Sequence, residues 1–450
     1  MIPGSARALH PSSASAASML SPAYRRYALG LLLVVYIFNF VDRSILYILL
    51  ESIKNDLQLS DAYLGILGGF AFALIYTFMG IPIARLADLW VRRSIIALGL
   101  ALWSAMTALT GFSGSALQLV MARMGVGLGE SACSPPSHSL ISDYFPPERR
   151  ATAMSIYSLG IPIGSAVGSL VGGWVNQWYG WRAAFLWVGL PGILLALVVW
   201  RSLREPPRGL SETQGAGRTG ATAGAPTVGA GEPLRIVLRY MVRLRSFRHM
   251  SLGAALHAFY GYGAGAFLPA FFIRLHGFET GELGTWFFAF GITFGPAGTF
   301  LGGWLSDRLA VRDRRWYVWL PALATATGIP FSILLYLWPD GHVALLLSIP
   351  GSILGGMWLG PTFAMTQGLV KLRMRATASA ILLFVINLIG MGGGPYAVGL
   401  VSDWLHPSLG VESIRWALLS VVTLCAAWSS LHYLIAARTL RRDLAAASGT

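Results

Sequence analysis

The chain has little charge. Only 12% of its 450 residues are Asp, Glu, Lys or Arg, about half the share of an ordinary soluble domain, while 55% are hydrophobic. That balance excludes a disordered protein and argues against a soluble enzyme. Cysteine is scarcer still. Cys133 and Cys425 both sit in apolar runs, so neither a disulfide framework nor a metal-ligand spacing can be built from them. A zinc-protease His-Glu-x-x-His, a Walker phosphate loop and a Gly-x-Ser-x-Gly elbow are all missing. Enzymatic chemistry and ATP-driven transport within this chain are therefore not expected, and neither is a cofactor. Lysine occurs twice, at Lys54 and Lys371, among 33 basic residues. With the alanine-rich C-terminus, that usage points to a GC-rich bacterial source.

What the chain has is long apolar stretches. Crossing about 30 Å of hydrocarbon takes roughly 20 residues, and twelve stretches qualify: 27–50, 62–84, 94–112, 116–142, 152–175, 182–200, 248–273, 283–307, 316–337, 342–368, 376–400 and 415–437. Lipid offers the backbone no hydrogen-bond partners, so these spans must be helices. Many of the 53 glycines fall inside them, as in the series Gly160, Gly164, Gly168 and Gly172, a spacing that lets helices approach closely.

A net charge of +14 fits either a nucleic-acid partner or a membrane topology. Position decides between them. Arg43 and Arg123 lie within spans, and Lys54, Arg182, Arg274 and Arg415 fall in one set of loops. The remaining basic residues crowd the termini and the alternate loops. This bias predicts an integral protein of the bacterial inner membrane with both termini cytoplasmic, and no nucleic-acid partner. The expected organisation is a disordered tail over 1–23, a six-helix bundle over 24–200, a cytoplasmic linker over 201–247, a second six-helix bundle over 248–437 and a cytoplasmic tail over 438–450. The first tail lacks the apolar core and cleavage site of a signal peptide, so the first span is expected to stay as an uncleaved anchor. The linker is Gly/Ala/Thr-rich from Ser211 to Gly231 and reads as flexible. Its flank, Leu234 to Phe247, carries Arg235, Arg239, Arg243 and Arg245. That pattern suits either an amphipathic helix on an anionic leaflet or a solvated linker.

The two halves repeat. Arg150-Ala151-Thr152-Ala153 returns as Arg375-Ala376-Thr377-Ala378, an offset of 225 residues, and Leu86-Ala87-Asp88 returns as Leu305-Ser306-Asp307 at 219. With Gly303-Trp304-Leu305-Ser306-Asp307-Arg308, the Gly125/Gly127/Gly129 series after Arg123, and Gly160-Ile161-Pro162-Ile163-Gly164, the chain resembles the major facilitator superfamily over nearly its whole length. The resemblance implies an all-α membrane protein, twelve transmembrane helices in two pseudo-symmetric six-helix bundles that rock about a central site. The loop motifs then read as a cytoplasmic gate, Asp88 with Arg92 and Arg93 and Asp307 with Arg308 and Arg312; simple topogenic charge is the alternative. The first copy departs from the family pattern at Ala84, Leu89 and Val91.

Four ionisable residues lie well inside spans: Asp42 and Arg43 in the first, Arg123 and Glu130 in the fourth. Such residues are costly in lipid and are functional candidates by default. At 1.5 Å per residue Asp42 and Arg123 fall at similar depth, with Glu130 nearer the midplane. Arg123 and Glu130, seven apart, share a helix face. Asp42 and Arg123 either form a static pair fixing registry, or Arg123 tunes a proton exchanged at Glu130 or Asp42. His138, two turns beyond Glu130, is a candidate relay or a polar residue near a helix end. The second half offers no comparable charge.

Asn39-Phe40-Val41-Asp42-Arg43, Gly127-Leu128-Gly129-Glu130-Ser131, Ser142-Asp143-Tyr144-Phe145-Pro146 and the run Arg204 to Gly209 look like the spinster branch of the superfamily. Ser131 stands where many relatives have alanine. That branch is associated with sphingolipids and lysophospholipids, so the resemblance implies a monomeric, proton-linked secondary transporter of lipid-like amphipaths, its partners being the amphipath, protons and membrane lipids. A transporter of small organic ions, drugs or sugars is the alternative. Asn39, Tyr47, Tyr260, Trp358, Phe384 and Asn387 are the expected cavity contacts.

Overall fold

The structure, a computed structural model, describes residues 21–211 and 232–448, and these contain helices but no strand. The centre of the linker, 212–231, and the chain before Ser21 lie outside them, and so do the expectations of flexibility and disorder made for those segments.

Among the described residues there are twelve crossings. The first is Pro22–Leu57, the second Asp61–Leu89 and the third Arg92–Thr110. The fourth is broken into Ala116–Glu130 and Ser134–Tyr144. The fifth begins with Pro147–Ser158 and continues in Gly160–Ser202. Gly180, at φ 82°, breaks that long helix with a conformation open to glycine and hostile to a side chain, and so separates the fifth crossing from the sixth. The seventh to ninth are Arg245–His276, Thr280–Ala310 and Trp316–Leu337. The tenth is broken like the fourth, into Gly341–Gly356 and Leu359–Gly368. The eleventh runs through Arg375–Val385, a π-helical turn at Ile386–Gly393, and Gly394–Leu409; the twelfth is Ser413–Ser448.

The expected boundaries shift where local chemistry differs from hydropathy. Helix begins at Pro22, inside the expected tail, because the Ser21 hydroxyl accepts the Tyr24 N–H at 3.2 Å and caps it. The last helix continues through the expected C-terminal tail because Leu440 is buried and Asp443 accepts the Ser246 N–H at 3.0 Å. The linker ends early as a linker. Leu234–Arg243 is a helix whose Val237 and Met241 are buried on the second half, with Arg235, Arg239 and Arg243 exposed.

The halves touch where the second helix crosses the eleventh, the fifth crosses the eighth, and the first meets the seventh. Glycines set the approach. Gly65 faces the Pro395 carbonyl, Gly399 the Asp61 carbonyl and Gly284 the Ser169 carbonyl. π-helical turns at Ile66–Phe70 and Ile386–Gly393 sit in the second and eleventh helices at their crossing, widening each helix where it must meet the other. At the other end the halves diverge around a cavity of about 1050 Å³. A Gly399→Val substitution drives a side chain into backbone. It should cost about 1–3 kcal/mol and lower the melting temperature of the purified protein by several degrees, measured by thermal unfolding; Gly303→Val, which meets open space, serves as the control.

Candidate functional site: a buried ion pair at a broken helix

The break in the fourth helix follows from Cys133-Ser134-Pro135-Pro136. Proline tolerates the first turn of a helix but not its interior, so a new segment starts at Ser134 and the preceding one stops at Glu130. Ser131 closes that stop, its hydroxyl donating to the Leu128 carbonyl at 2.6 Å. Above the break, Gly127 and Gly129 face Phe72 and Trp103 with no room for a Cβ. The terminal residue, Glu130, is thereby drawn into the bundle, 1% exposed.

Glu130 meets Arg43 there. Arg43 Nε donates to Glu130 Oε2 at 2.6 Å, and the guanidinium lies 4.6–4.9 Å from the rings of Tyr76, Phe72 and Phe40. Arg123 sits over the other side of the site, 5.3 Å from Phe72. Asp42 is 1% exposed, beside the Thr107 hydroxyl and the Trp103 indole N–H, and forms no ion pair among the described residues. Arg123 Nε is also buried, without a hydrogen-bond partner among the described residues. The cluster therefore brings together all four ionisable residues expected from sequence, with one change of pairing. The Asp42–Arg123 pair, one of the two alternatives, is not formed among the described residues. Arg43, one residue round the helix from Asp42, takes the glutamate instead because the aromatic cage holds its guanidinium on that side.

The other expected residues scatter. Asn39 lies buried beside Glu130, and Tyr47 donates to the Gly68 carbonyl at 3.2 Å. His138 is exposed and stacks edge-on against Tyr157 with no hydrogen bond to Glu130. Phe384 meets Phe78 across the halves at 5.7 Å, and Asn387 is half-buried in the π-helical turn. Tyr260 and Trp358 converge on His257. The Tyr260 hydroxyl lies 3.0 Å from His257 Nδ1, and the Trp358 ring 4.9 Å from the imidazole.

The cavity lies mainly in the second half. Its walls include His257, Tyr260, Tyr336 and Gly355, with Pro162 and Phe300 where the fifth and eighth helices face each other. None of the four charged residues lines it. Charge and cavity are thus separate parts of one interior.

The family model of the Major Facilitator Superfamily matches residues 32–395. The chain belongs to this superfamily. It is 34% identical to an MFS-type efflux pump of Mycolicibacterium smegmatis, over 93% of this chain and 94% of that one. It is 25% identical to the sphingosine-1-phosphate transporter of Danio rerio, over 88% and 79% of the two chains. Among solved structures, a bacterial homolog to the human lysosomal transporter Spinster, described as inward-facing and unoccupied, is 32% identical over 94% of this chain and 99% of that one, with a TM-score of 0.85. Within the superfamily the chain is a spinster-like membrane transporter, not an enzyme.

The loop motifs of the superfamily take an unexpected form here. Asp88 is exposed and pairs with neither Arg92 nor Arg93. Arg92 turns inward instead, 1% exposed, and binds Asp143, Glu205 at 2.7 Å and Ser139 at 2.7 Å. Arg93 donates its N–H to Glu205 at 3.0 Å, and Arg208 donates to the Ala87 carbonyl at 2.7 Å. The motif therefore ties the second, third and fourth helices of one half to the run after the sixth. In the second copy, Asp307 accepts from the Tyr317 hydroxyl at 2.7 Å, Arg308 lies over Trp304, and the exposed Arg312 has no side-chain partner among the described residues. The acid that does pair is Asp313. Hydrogen bonds from Arg315 and Arg441 hold its carboxyl well below the usual carboxylate range.

The tightest contact between the halves escaped sequence reasoning. Arg274, at the end of the seventh helix, binds Glu51 at 2.7 Å and both Asp61 oxygens at 2.7 Å. Lys54 joins Asp61 at 2.5 Å, and Asp403 accepts the N–H groups of Asp61 and Ala62 at 2.9 and 2.7 Å. Asn176 reaches Thr280 at 3.1 Å. Among the described residues, the hydrogen bonds and ion pairs joining the halves gather at this end. Its one sequence signal was that Arg274 and Lys54 belong to the basic-poor set of loops. Removing one partner of a buried pair costs about 3–5 kcal/mol. Arg274→Gln should lengthen the distance between spin labels at the exposed positions Asn55 and Val411, measured by pulsed electron resonance.

Proposed function

We propose that this protein is a secondary active transporter that carries lipid-like amphipaths, of lysophospholipid or sphingolipid type, across the bacterial inner membrane by alternating access, with proton exchange at the Glu130–Asp42 cluster. One observation carries the reading: the first half buries a compensated charge cluster, while the adjoining cavity has no charged lining residue. A polar head suits the first environment and a hydrocarbon tail the second. The charged head interacts strongly only where water is thin and opposite charge is fixed, and an acyl chain gains about 0.8 kcal/mol per buried methylene.

Proton exchange draws support from the uneven pairing. Glu130 shares one oxygen with Arg43, while Asp42 has only the neutral Thr107 and Trp103 groups beside it and no ion pair among the described residues. A small movement of the first helix against the fourth would change which carboxyl the two arginines compensate. His138 is retained as a relay candidate on its exposure and its place two turns beyond Glu130.

The basic residues of the linker and both termini put that side in the cytoplasm. The Arg274 lock then faces outward, and the cavity faces inward. The gate expected at Asp88, Arg92, Arg93, Asp307, Arg308 and Arg312 fits an opened state, since neither acid is engaged with its arginines here. The transporter is read as a monomer, a single chain containing the whole path.

A second reading, transport of small organic ions or drugs, is favoured by the 34% identical efflux pump. Thermal stabilisation by lysolipids but not by small polar solutes distinguishes the first reading from the second. Proteoliposome flux tests the coupling. In Glu130→Gln, flux driven by a pH gradient should fall on the order of tenfold, the effect of losing about 1.4 kcal/mol, while gradient-independent exchange persists. Wild-type pH dependence in that variant would remove Glu130 from the mechanism.

A further inference from the structure

The helix Leu234–Arg243 carries two exposed stripes side by side. Val237 and Met241 seat it on the second half, against the seventh helix and the start of the eleventh. At about 100° per residue, Leu234, Leu238 and Val242 follow one another along the next face, 57%, 44% and 50% exposed. Arg235, Arg239 and Arg243 form the face after that, and all three are exposed. Their side chains make no ion pair or hydrogen bond among the described residues, and the helix contains no acidic residue. Ile236 is the one exposed apolar residue of this helix that stands off the apolar stripe.

The chain that follows fixes where these stripes lie. Leu244, at φ −75° and ψ 114°, is the single residue between this helix and the seventh crossing, Arg245–His276. The end of the short helix is therefore held at the membrane surface, where acyl chains give way to headgroups. An apolar stripe bordered by arginines matches that boundary. In water alone, three aliphatic side chains in a row would stand exposed with nothing to cover them. Arg245 and Arg248, exposed where the crossing begins, add positive charge beside the same surface.

We propose that Leu234–Arg243 is a surface anchor for an anionic leaflet, with Leu234, Leu238 and Val242 entering the acyl boundary and Arg235, Arg239 and Arg243 engaging the lipid phosphates. Charge complementarity selects this occupant. In a zwitterionic headgroup the lipid's own cation compensates the phosphate, whereas each arginine beside an anionic surface strengthens the association about fivefold. Because Val237 and Met241 seat the helix on the second half, the anchor ties that half to the leaflet. The inference is independent of what the cavity carries.

The test uses the full chain in nanodiscs with a nitroxide on Leu238→Cys. Cys425→Ala removes the half-buried thiol, and Cys133 stays because it is fully buried. The label's collisions with oxygen, which dissolves in acyl chains, are compared with its collisions with a neutral, water-soluble nickel chelate. In discs containing phosphatidylglycerol the oxygen-to-nickel ratio should be at least fivefold higher than in discs of phosphatidylcholine alone. Replacing the three arginines together, Arg235→Gln, Arg239→Gln and Arg243→Gln, should give the lower ratio in both discs. Each variant should keep the wild-type melting temperature, since none of the changed side chains is buried. Equal ratios in the two discs overturn the proposal, and so does a phosphatidylglycerol effect that survives loss of the arginines. A label shielded from both probes also overturns it, by placing a protein segment rather than lipid on the stripe.

Discussion

A carboxylate in the middle of a membrane protein has to be compensated where it stands, and the Glu130–Arg43 pair is the contact around which the first half is arranged. Its 2.6 Å separation depends on a helix that stops at Glu130, on glycines that bring that helix against Phe72 and Trp103, and on three aromatic rings that fix the guanidinium. Each is a sequence feature with no other obvious need. Two consecutive prolines in a span are expensive unless the helix is meant to restart, and three glycines in five residues weaken a helix unless close approach is required. Asp42 and Arg123 then bring the cluster to two acids and two bases, the balance that makes burial tolerable.

The repeat extends this plan to the second half with the charge removed. Gly355 stands 225 residues after Glu130, the same offset that relates Arg150–Ala153 to Arg375–Ala378. It too lies at a break, between Gly341–Gly356 and Leu359–Gly368. Where the first half presents a carboxylate to a guanidinium, the second presents a backbone carbonyl to the imidazole of His257. Broken helices expose backbone groups at mid-membrane, which is tolerated only where they meet protein or line a cavity. Both breaks meet that condition, one with ions and one with dipoles. The division of labour between a charged half and a neutral half is therefore built on one backbone device used twice.

Much of this was legible in the sequence because lipid makes the rules strict. Twelve apolar stretches had to be helices, and the four ionisable residues inside them had to find one another. The pairing was not legible. Asp42 and Arg43 are neighbours in sequence, and which of them meets Glu130 depends on side-chain direction and on Phe40, Phe72 and Tyr76, residues that composition cannot distinguish from lipid-facing aromatics. The fate of Asp88 and Arg92 was hidden for a similar reason. Arg92 has four acceptors from distant parts of the chain, and hydropathy says nothing about which it takes. The Arg274 lock was missed because it sits at helix ends, where charge is ordinary and carries no signal.

That lock also explains how a closed end can be firm and still open. Arg274, Lys54, Glu51 and Asp61 form a cluster of balanced charge, 3–24% exposed at the side chains, with Ser402 and Asp403 from the eleventh helix completing it. Buried ion pairs are geometrically exacting, but their net stability is small, because the cost of leaving water offsets most of the Coulomb attraction. Opening returns that hydration. An apolar seal of the same area would hold by the full hydrophobic term and would expose hydrocarbon on separating. Alternating access needs two states within a few kcal/mol of each other. A lock made of ions therefore specifies the closed geometry closely while leaving the free-energy difference between the two states small.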